Sequence, residues 1–167
     1  MEHYQIYIFG ELTDLDAFDE ILFELCDEIE PEDRARAFEK LLQENDGEVS
    51  FKRLSKMGSP FDGLKIHLKA ANLGWKELAA DDDGRYYQAV IASPGDFDEI
   101  TIELIHGEPA IELSVLQRAR DEGPKALERL IATVEKTSRY GEDLTLTLGD
   151  NLVARYIDTI ETDAPSP

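Results

Sequence analysis

Tyr4-Gln5-Ile6-Tyr7-Ile8-Phe9 is a β-branched and aromatic run closed by Gly10, the pattern of a first strand. The spacing then changes from two to three and four. Leu15, Phe18, Leu22, Leu25 and Ile29 predict an amphipathic helix, opened by a Thr13-x-x-Asp16 variant of the capping box. Glu30-Pro31 ends it, and Pro31 suits the first turn of a second helix, where Glu32 and Asp33 complement the helix dipole. Ala35, Phe38, Leu41 and Leu42 form the apolar face of that second helix, and Gly47 is its C-terminal stop.

Val49-Ser50-Phe51 opens a second strand, and residues 57–63 read as a loop. Residues 64–70 alternate strictly and predict a strand with a basic outer face. A helix from Asp62 to Gly74 competes, because Leu64, Leu68 and Ala71 also share one helical face. Residues 75–80 predict a short helix, Asp81-Asp82-Asp83-Gly84 a turn, and residues 86–92 a strand. Ile100, Ile102 and Leu104 alternate, His106-Gly107-Glu108-Pro109 turns, and Ile111, Leu113 and Val115 alternate again, which predicts a hairpin. A short helix over 116–122 follows. Gly123-Pro124 then starts a longer one with face Leu127, Leu130, Ile131 and Val134, and residues 144–148 and 152–160 predict a closing hairpin around Gly149-Asp150-Asn151.

Strands joined by short turns and helices gathered in two clusters predict an α+β fold. Its mainly antiparallel sheet would hold about seven or eight strands, covered by two helix pairs. Residues 1–161 read as one domain and 162–167 as a polar, Pro-rich, disordered tail. The octets 18–25 and 97–104 share six positions, yet the first lies in a helical pattern and the second in a strand pattern, so the likeness reads as chance.

Composition adds a charge problem. The 167 residues carry 37 acids against 17 Lys and Arg, a formal net charge of −20. That surface argues against an electrostatic hold on bulk nucleic acid or on an anionic membrane. The charge is uneven. Residues 1–50 hold sixteen acids and three bases, whereas residues 51–75 hold one acid and five bases. On the first helix, at about 100° per residue, the apolar arc is opposed by Asp16, Asp19, Glu20, Glu24, Asp27 and Glu30, with Phe23 near the middle of the acidic arc. Like charges three and four residues apart cost a helix a few tenths of a kcal/mol per pair, so local stability does not explain this face. It serves solubility, or steers a basic partner onto Phe23, or is neutralised internally by Lys52, Arg53, Lys56, Lys65 and Lys69.

Catalytic and cofactor signatures are missing. The chain has no G-x-G-x-x-G, no G-x-x-x-x-G-K-[ST] and no H-E-x-x-H. His106-Gly107-Glu108 lacks the cysteine half of a zinc deaminase motif, and Asp81-Asp82-Asp83-Gly84 lacks the order of a calcium loop. A lone Cys26 excludes an intrachain disulfide and reads as a buried structural thiol. The start lacks a basic leader segment, and no apolar stretch approaches the roughly 20 residues that span a bilayer.

These features favour an acidic cytoplasmic interaction protein that is not an enzyme and uses no cofactor or metal. It would mask a basic surface on a protein partner, such as a toxin or a nucleic-acid-handling protein, in the manner of an inhibitor or immunity protein. It would make no direct contact with nucleic acid or membrane. The expected contact is Asp16, Asp19, Glu20, Phe23, Glu24 and Asp27. The alternative is a small-molecule-binding or enzymatic domain with a pocket near Trp75, Tyr86 and His67, and a homodimer through a sheet edge is a third possibility.

Overall fold

The computed structural model describes residues 1–25, 29–137 and 144–163. Elements follow in the order β1 (Glu2–Leu12), α1 (Leu15–Leu25), α2 (Pro31–Glu44), β2 (Ser50–Ser55), α3 (Asp62–Ala70), β3 (Gly74–Ala80), β4 (Tyr86–Ser93), β5 (Asp96–Ile105), β6 (Glu108–Ala110), α4 (Leu113–Glu122), α5 (Pro124–Thr137), β7 (Leu146–Leu148) and α6 (Leu152–Asp163). Among the described residues this is an α+β fold with seven strands in one open sheet and six helices, including the expected pairs α1–α2 and α4–α5. The strand order is β2-β1-β3-β4-β5-β6, every neighbour antiparallel, and β7 joins the end of β1 in parallel at Gly10–Leu12. No helix among the described residues is long and apolar enough to cross a membrane.

The side chains of β1 alternate between the two faces of the sheet, and each face has its own cover. Tyr4, Ile6, Ile8 and Leu12 meet α1, α2, α3 and α6 in the main core, with Phe18, Leu22, Phe38 and Leu68 fully buried. Phe18 lies edge-on to Phe38 at 5.8 Å and to Tyr156 of α6 at 5.1 Å. The other face carries two smaller clusters, Phe9 with Ile91 and Leu144, and Leu78 with Ala89 and Leu104. The α4–α5 hairpin reaches the sheet at β4 and β6. The chain after it places Leu144 against Phe9 and Ile91, on the face opposite α1.

Four segments differ from the sequence expectation, each for a packing reason. Residues 64–70 form helix α3 rather than a strand. Leu64 and Leu68 lie one turn apart on its buried side while Ile66 faces solvent, so the competing period wins. Residues 75–80 form the central strand β3 rather than a helix. All seven residues of β3 are buried between β1 and β4, which hides the period-two signal that a half-exposed strand would show. Residues 111–115 are not a strand. β6 ends at Ala110 and α4 starts at Leu113. Residues 152–160 form α6, because Leu152 and Tyr156, one turn apart, both enter the main core, with Val153 packed against it and Ile157 also buried; the β-branched Val153, Ile157 and Thr159 give the segment its strand-like composition.

The helix boundaries are set by local chemistry. Asp14 rather than Thr13 caps α1, its carboxylate accepting the Ala17 N–H at 2.8 Å. Pro31 opens α2 as expected. Gly47 closes the turn after α2 at φ 87°, donating its N–H to the Leu42 carbonyl at 2.7 Å. Helix α6 extends to Asp163, two residues into the expected tail, and residues 164–167 lie outside the described residues.

Candidate functional site

The acidic helix comes first. Helix α1 buries Ala17, Phe18, Ile21 and Leu22 and turns Asp16, Asp19, Glu20, Phe23 and Glu24 away from the core. Phe23 is 54% exposed, the one large apolar side chain of α1 so placed among those described. Asp27 and Cys26 lie outside the described residues. Neighbouring elements engage three of the acids. The Tyr156 hydroxyl donates to Asp19, and burial together with that carboxylate pushes the Tyr156 phenol well above its ordinary range. Glu20 stands 3.9 Å from the His67 ring of α3. Arg53 of β2 pairs with Glu24 at 3.2 Å and also donates to the Glu24 carbonyl at 2.8 Å. Internal neutralisation is therefore partial, with Arg53 the one member of the basic island that forms an ion pair with the described acids of α1.

A second site lies on the same side of the sheet. The register sets Phe51, Ile6, Glu77, Val90 and Thr101 in one row from β2 to β5. Phe51 and Ile6 are beneath the helices, whereas Thr101 is exposed. Glu77 marks the boundary, buried at 4% exposure on the central strand, and such a carboxylate must be paired. Lys65, on the inner side of α3, supplies the charge. Its ammonium donates to Glu77 at 3.0 Å and to Glu99 of β5 at 2.9 Å. The Ser59 hydroxyl donates to the other oxygen of Glu77. The Trp75 indole N–H donates to the Glu99 oxygen that Lys65 also holds, at 3.1 Å. Trp75 stacks on Phe97 at 6.1 Å and 11°.

Burial alone would pull Lys65 down, but its hydrogen bond to Glu99 and the charge of Glu77 outweigh this and hold the ammonium above its ordinary value. Burial likewise pushes Glu99 up, and the bonds from Lys65 and Trp75 reverse this and hold its carboxyl below the ordinary value. A cavity of about 360 Å³ opens over this network, lined by Tyr4, Ser59, Glu77, Val90, Glu99 and Thr101 among others. Glu2 braces its rim, accepting from Tyr4 at 2.6 Å and Tyr87 at 2.9 Å.

The residues expected to share a pocket do not meet. Trp75 belongs to the Lys65–Glu77–Glu99 network, His67 faces Glu20, and Tyr86 lines a different cavity of about 400 Å³ with His3, Gln5, Lys52 and Leu54. There the Tyr86 hydroxyl donates to Gln5 at 3.0 Å, and Gln5 donates to Ser50 at 3.0 Å. Gln5, Lys52 and Leu54 project from the face opposite α1, as the register requires. His106 takes φ 54° in the β5–β6 turn, and Asp81 folds its own turn by accepting from Asp83 and Arg85. No group of three or more metal-ligating side chains occurs among the described residues.

The sequence pattern offers Lys65 only as a neutraliser of α1, whereas it pairs with Glu77 and Glu99, which no motif marks. The usable signal was a Lys-Glu pair inside an otherwise apolar segment beside the single Trp, 75–80, where charge is tolerated only if it is paired. Comparison with known proteins gives no matching family model, no matching curated protein and no matching solved structure.

Proposed function

We propose that this chain is an acidic cytoplasmic interaction protein that binds a basic surface on a protein partner and masks it, as inhibitors and immunity proteins do, by stoichiometric binding rather than catalysis. The contact is the outer face of α1: Asp16, Asp19, Glu20, Phe23 and Glu24, with Asp27 continuing the pattern in the sequence. The observation that carries this reading is the exposure of Phe23 within an acidic helical face, while Phe18, Ile21 and Leu22 of the same helix are buried. A solubilising face needs charge and gains nothing from an exposed aromatic ring. In an interface the acids speed encounter with a basic partner and the ring, once desolvated, slows dissociation.

The test is capture from the native host at low and moderate salt, with wild type and Phe23→Ala side by side. The expected result is a basic protein held in stoichiometric amount by wild type and bound at least tenfold more weakly by Phe23→Ala. A folded Phe23→Ala variant that captures the same partner equally well removes α1 from the account. A small-molecule-binding reading draws on the cavity over Glu77 and Glu99. A metabolite carried through purification and released on denaturation would favour it.

A further inference from the structure

We infer that the cavity over the Lys65–Glu77–Glu99 network receives one basic side chain of the partner, a guanidinium or ammonium on an alkyl stem. The inference rests on the reading of the chain as a receptor for a basic protein, and it adds a second contact on the α1 side of the sheet.

The charge balance of the network points to a cation. Lys65 supplies one positive charge against the two carboxylates Glu77 and Glu99. Both oxygens of Glu77 are engaged, by Lys65 and by Ser59. Glu99 is different. Lys65 and Trp75 converge on its Oε2, and its Oε1 accepts no hydrogen bond from the described residues. Its side chain is 39% exposed and lines the cavity. The network thus leaves one carboxylate oxygen of a cavity-lining side chain without a donor among the described residues, with its partner oxygen fixed by two. A carboxylate held in this way is pre-oriented for a charge-assisted bond to an incoming donor.

The cavity walls suit the stem of such a side chain. Val90 and Ala79 form apolar floor between β3 and β4, and Tyr4 and Tyr87 close one end. Thr101, two residues from Glu99 on the same strand, lines the cavity with its hydroxyl, and Gln88, opposite Glu103, adds an amide farther along the same wall. The volume of about 360 Å³ lies at the small end of the roughly 300–1,000 Å³ typical of ligand pockets, a fit for one side chain rather than a large cofactor. An anion is disfavoured by the local excess of one negative charge and by the field of a chain of net charge −20.

Trp75 is the sole tryptophan and donates to Glu99, so its emission reports directly on the site. The full chain is titrated at low ionic strength with N-acetyl-argininamide and with its uncharged isostere N-acetyl-citrullinamide, followed by Trp75 fluorescence and by the NMR shift of the indole N–H. Agmatine and a short arginine-centred peptide complete the probe set. The expected result is saturation by the arginine probe, at least tenfold weaker binding of the citrulline probe, and tighter binding of the peptide than of the capped amino acid. Glu99→Gln should weaken the arginine probe at least tenfold. Because Glu99→Gln also touches Trp75, Thr101→Arg serves as the second variant, filling the cavity without altering Lys65, Glu99 or Trp75. It should abolish the response.

A flat wild-type titration overturns the inference, as does an equal response to citrulline or an undiminished response in both variants. Agmatine binding more tightly than the peptide would make the occupant a free organic cation and overturn its assignment to the partner. Phe23→Ala should leave the titration unchanged. A flat titration with Phe23-dependent capture therefore rejects the cavity alone, and a saturable titration with Phe23-independent capture rejects the α1 contact alone.

Discussion

The two helix pairs are both amphipathic in sequence, yet the molecule uses them differently. Helices α1 and α2 sink their apolar faces into the main core, where Phe18, Ile21, Leu22, Ala35 and Phe38 are fully or almost fully buried. Helices α4 and α5 bury only Ala119, Val134 and Thr137, and leave Leu113 67% and Ile131 45% exposed. A shallow groove of about 210 Å³ runs between Leu113, Leu116 and Leu127. Periodicity therefore tells which side of a helix is apolar and leaves open whether anything covers it. Stability belongs to the α1–α2 side, and the α4–α5 side contributes surface.

The sharpest way to break this contrast is Phe38→Ala. Truncating a buried aromatic ring should cost about 3–5 kcal/mol in urea denaturation, and a loss under about 1 kcal/mol would contradict the packing described for α1, α2 and α6. Next comes Lys65→Met, expected to cost about 3 kcal/mol because it strands Glu77 in the interior. Recovery of part of that loss on adding Glu77→Gln would identify the stranded carboxylate as the cause.

A smaller effect concerns pH. Glu99 is held below its ordinary value of 4.5 in the folded chain. Its contribution is therefore present above that value and lost as pH falls through the lower folded one. Glu99→Gln should flatten the acid limb of the stability curve below about pH 4.5 and leave the limb near neutrality in place. Lys65 has the opposite sign. Its folded value is raised above 10.5, so its contribution is present below that pH and fades as pH rises through the folded value. The smallest effect is expected on the hairpin, where Leu113→Ala and Ile131→Ala should each change stability by no more than about 0.5 kcal/mol. A loss above about 2 kcal/mol would show that their surface is covered.

The same contrast explains what the sequence could disclose. The spacing of Phe18 and Leu22, and of Ala35, Phe38 and Leu42, marks α1 and α2 because one face of each is buried and the other wet. The acidic face with Phe23 was readable for the same reason. Residues 64–70 satisfy both periods, and only the burial of Leu64 and Leu68 against the core decides for a helix. Strand β3 was misread because Lys76 and Glu77 interrupt its apolar run, and their pairing depends on distant chain. Lys76 lies over the Tyr7 ring at 4.9 Å, and Glu77 meets Lys65. The cavity was illegible for a related reason. Glu99 is 34 residues from Lys65 in sequence, and no local pattern records that β5 and α3 converge. Helix α6 was hidden by Val153, Ile157 and Thr159, whose strand preference yields to the burial of Leu152 and Tyr156.

The parallel pairing of β7 with β1 has a consequence for the order in which the molecule can be completed during synthesis. The segment Gly10–Leu12 finds its partner only at Leu146–Leu148. The ring of Phe18 gains Tyr156 only when α6 arrives. A nascent chain that has emerged through β6 holds all six strands of the antiparallel series, but its oldest helix still lacks part of its apolar cover. Until α6 has left the ribosome, the ring of Phe18 lacks the Tyr156 part of its cover, and the arrival of α6 completes the core around the first helix.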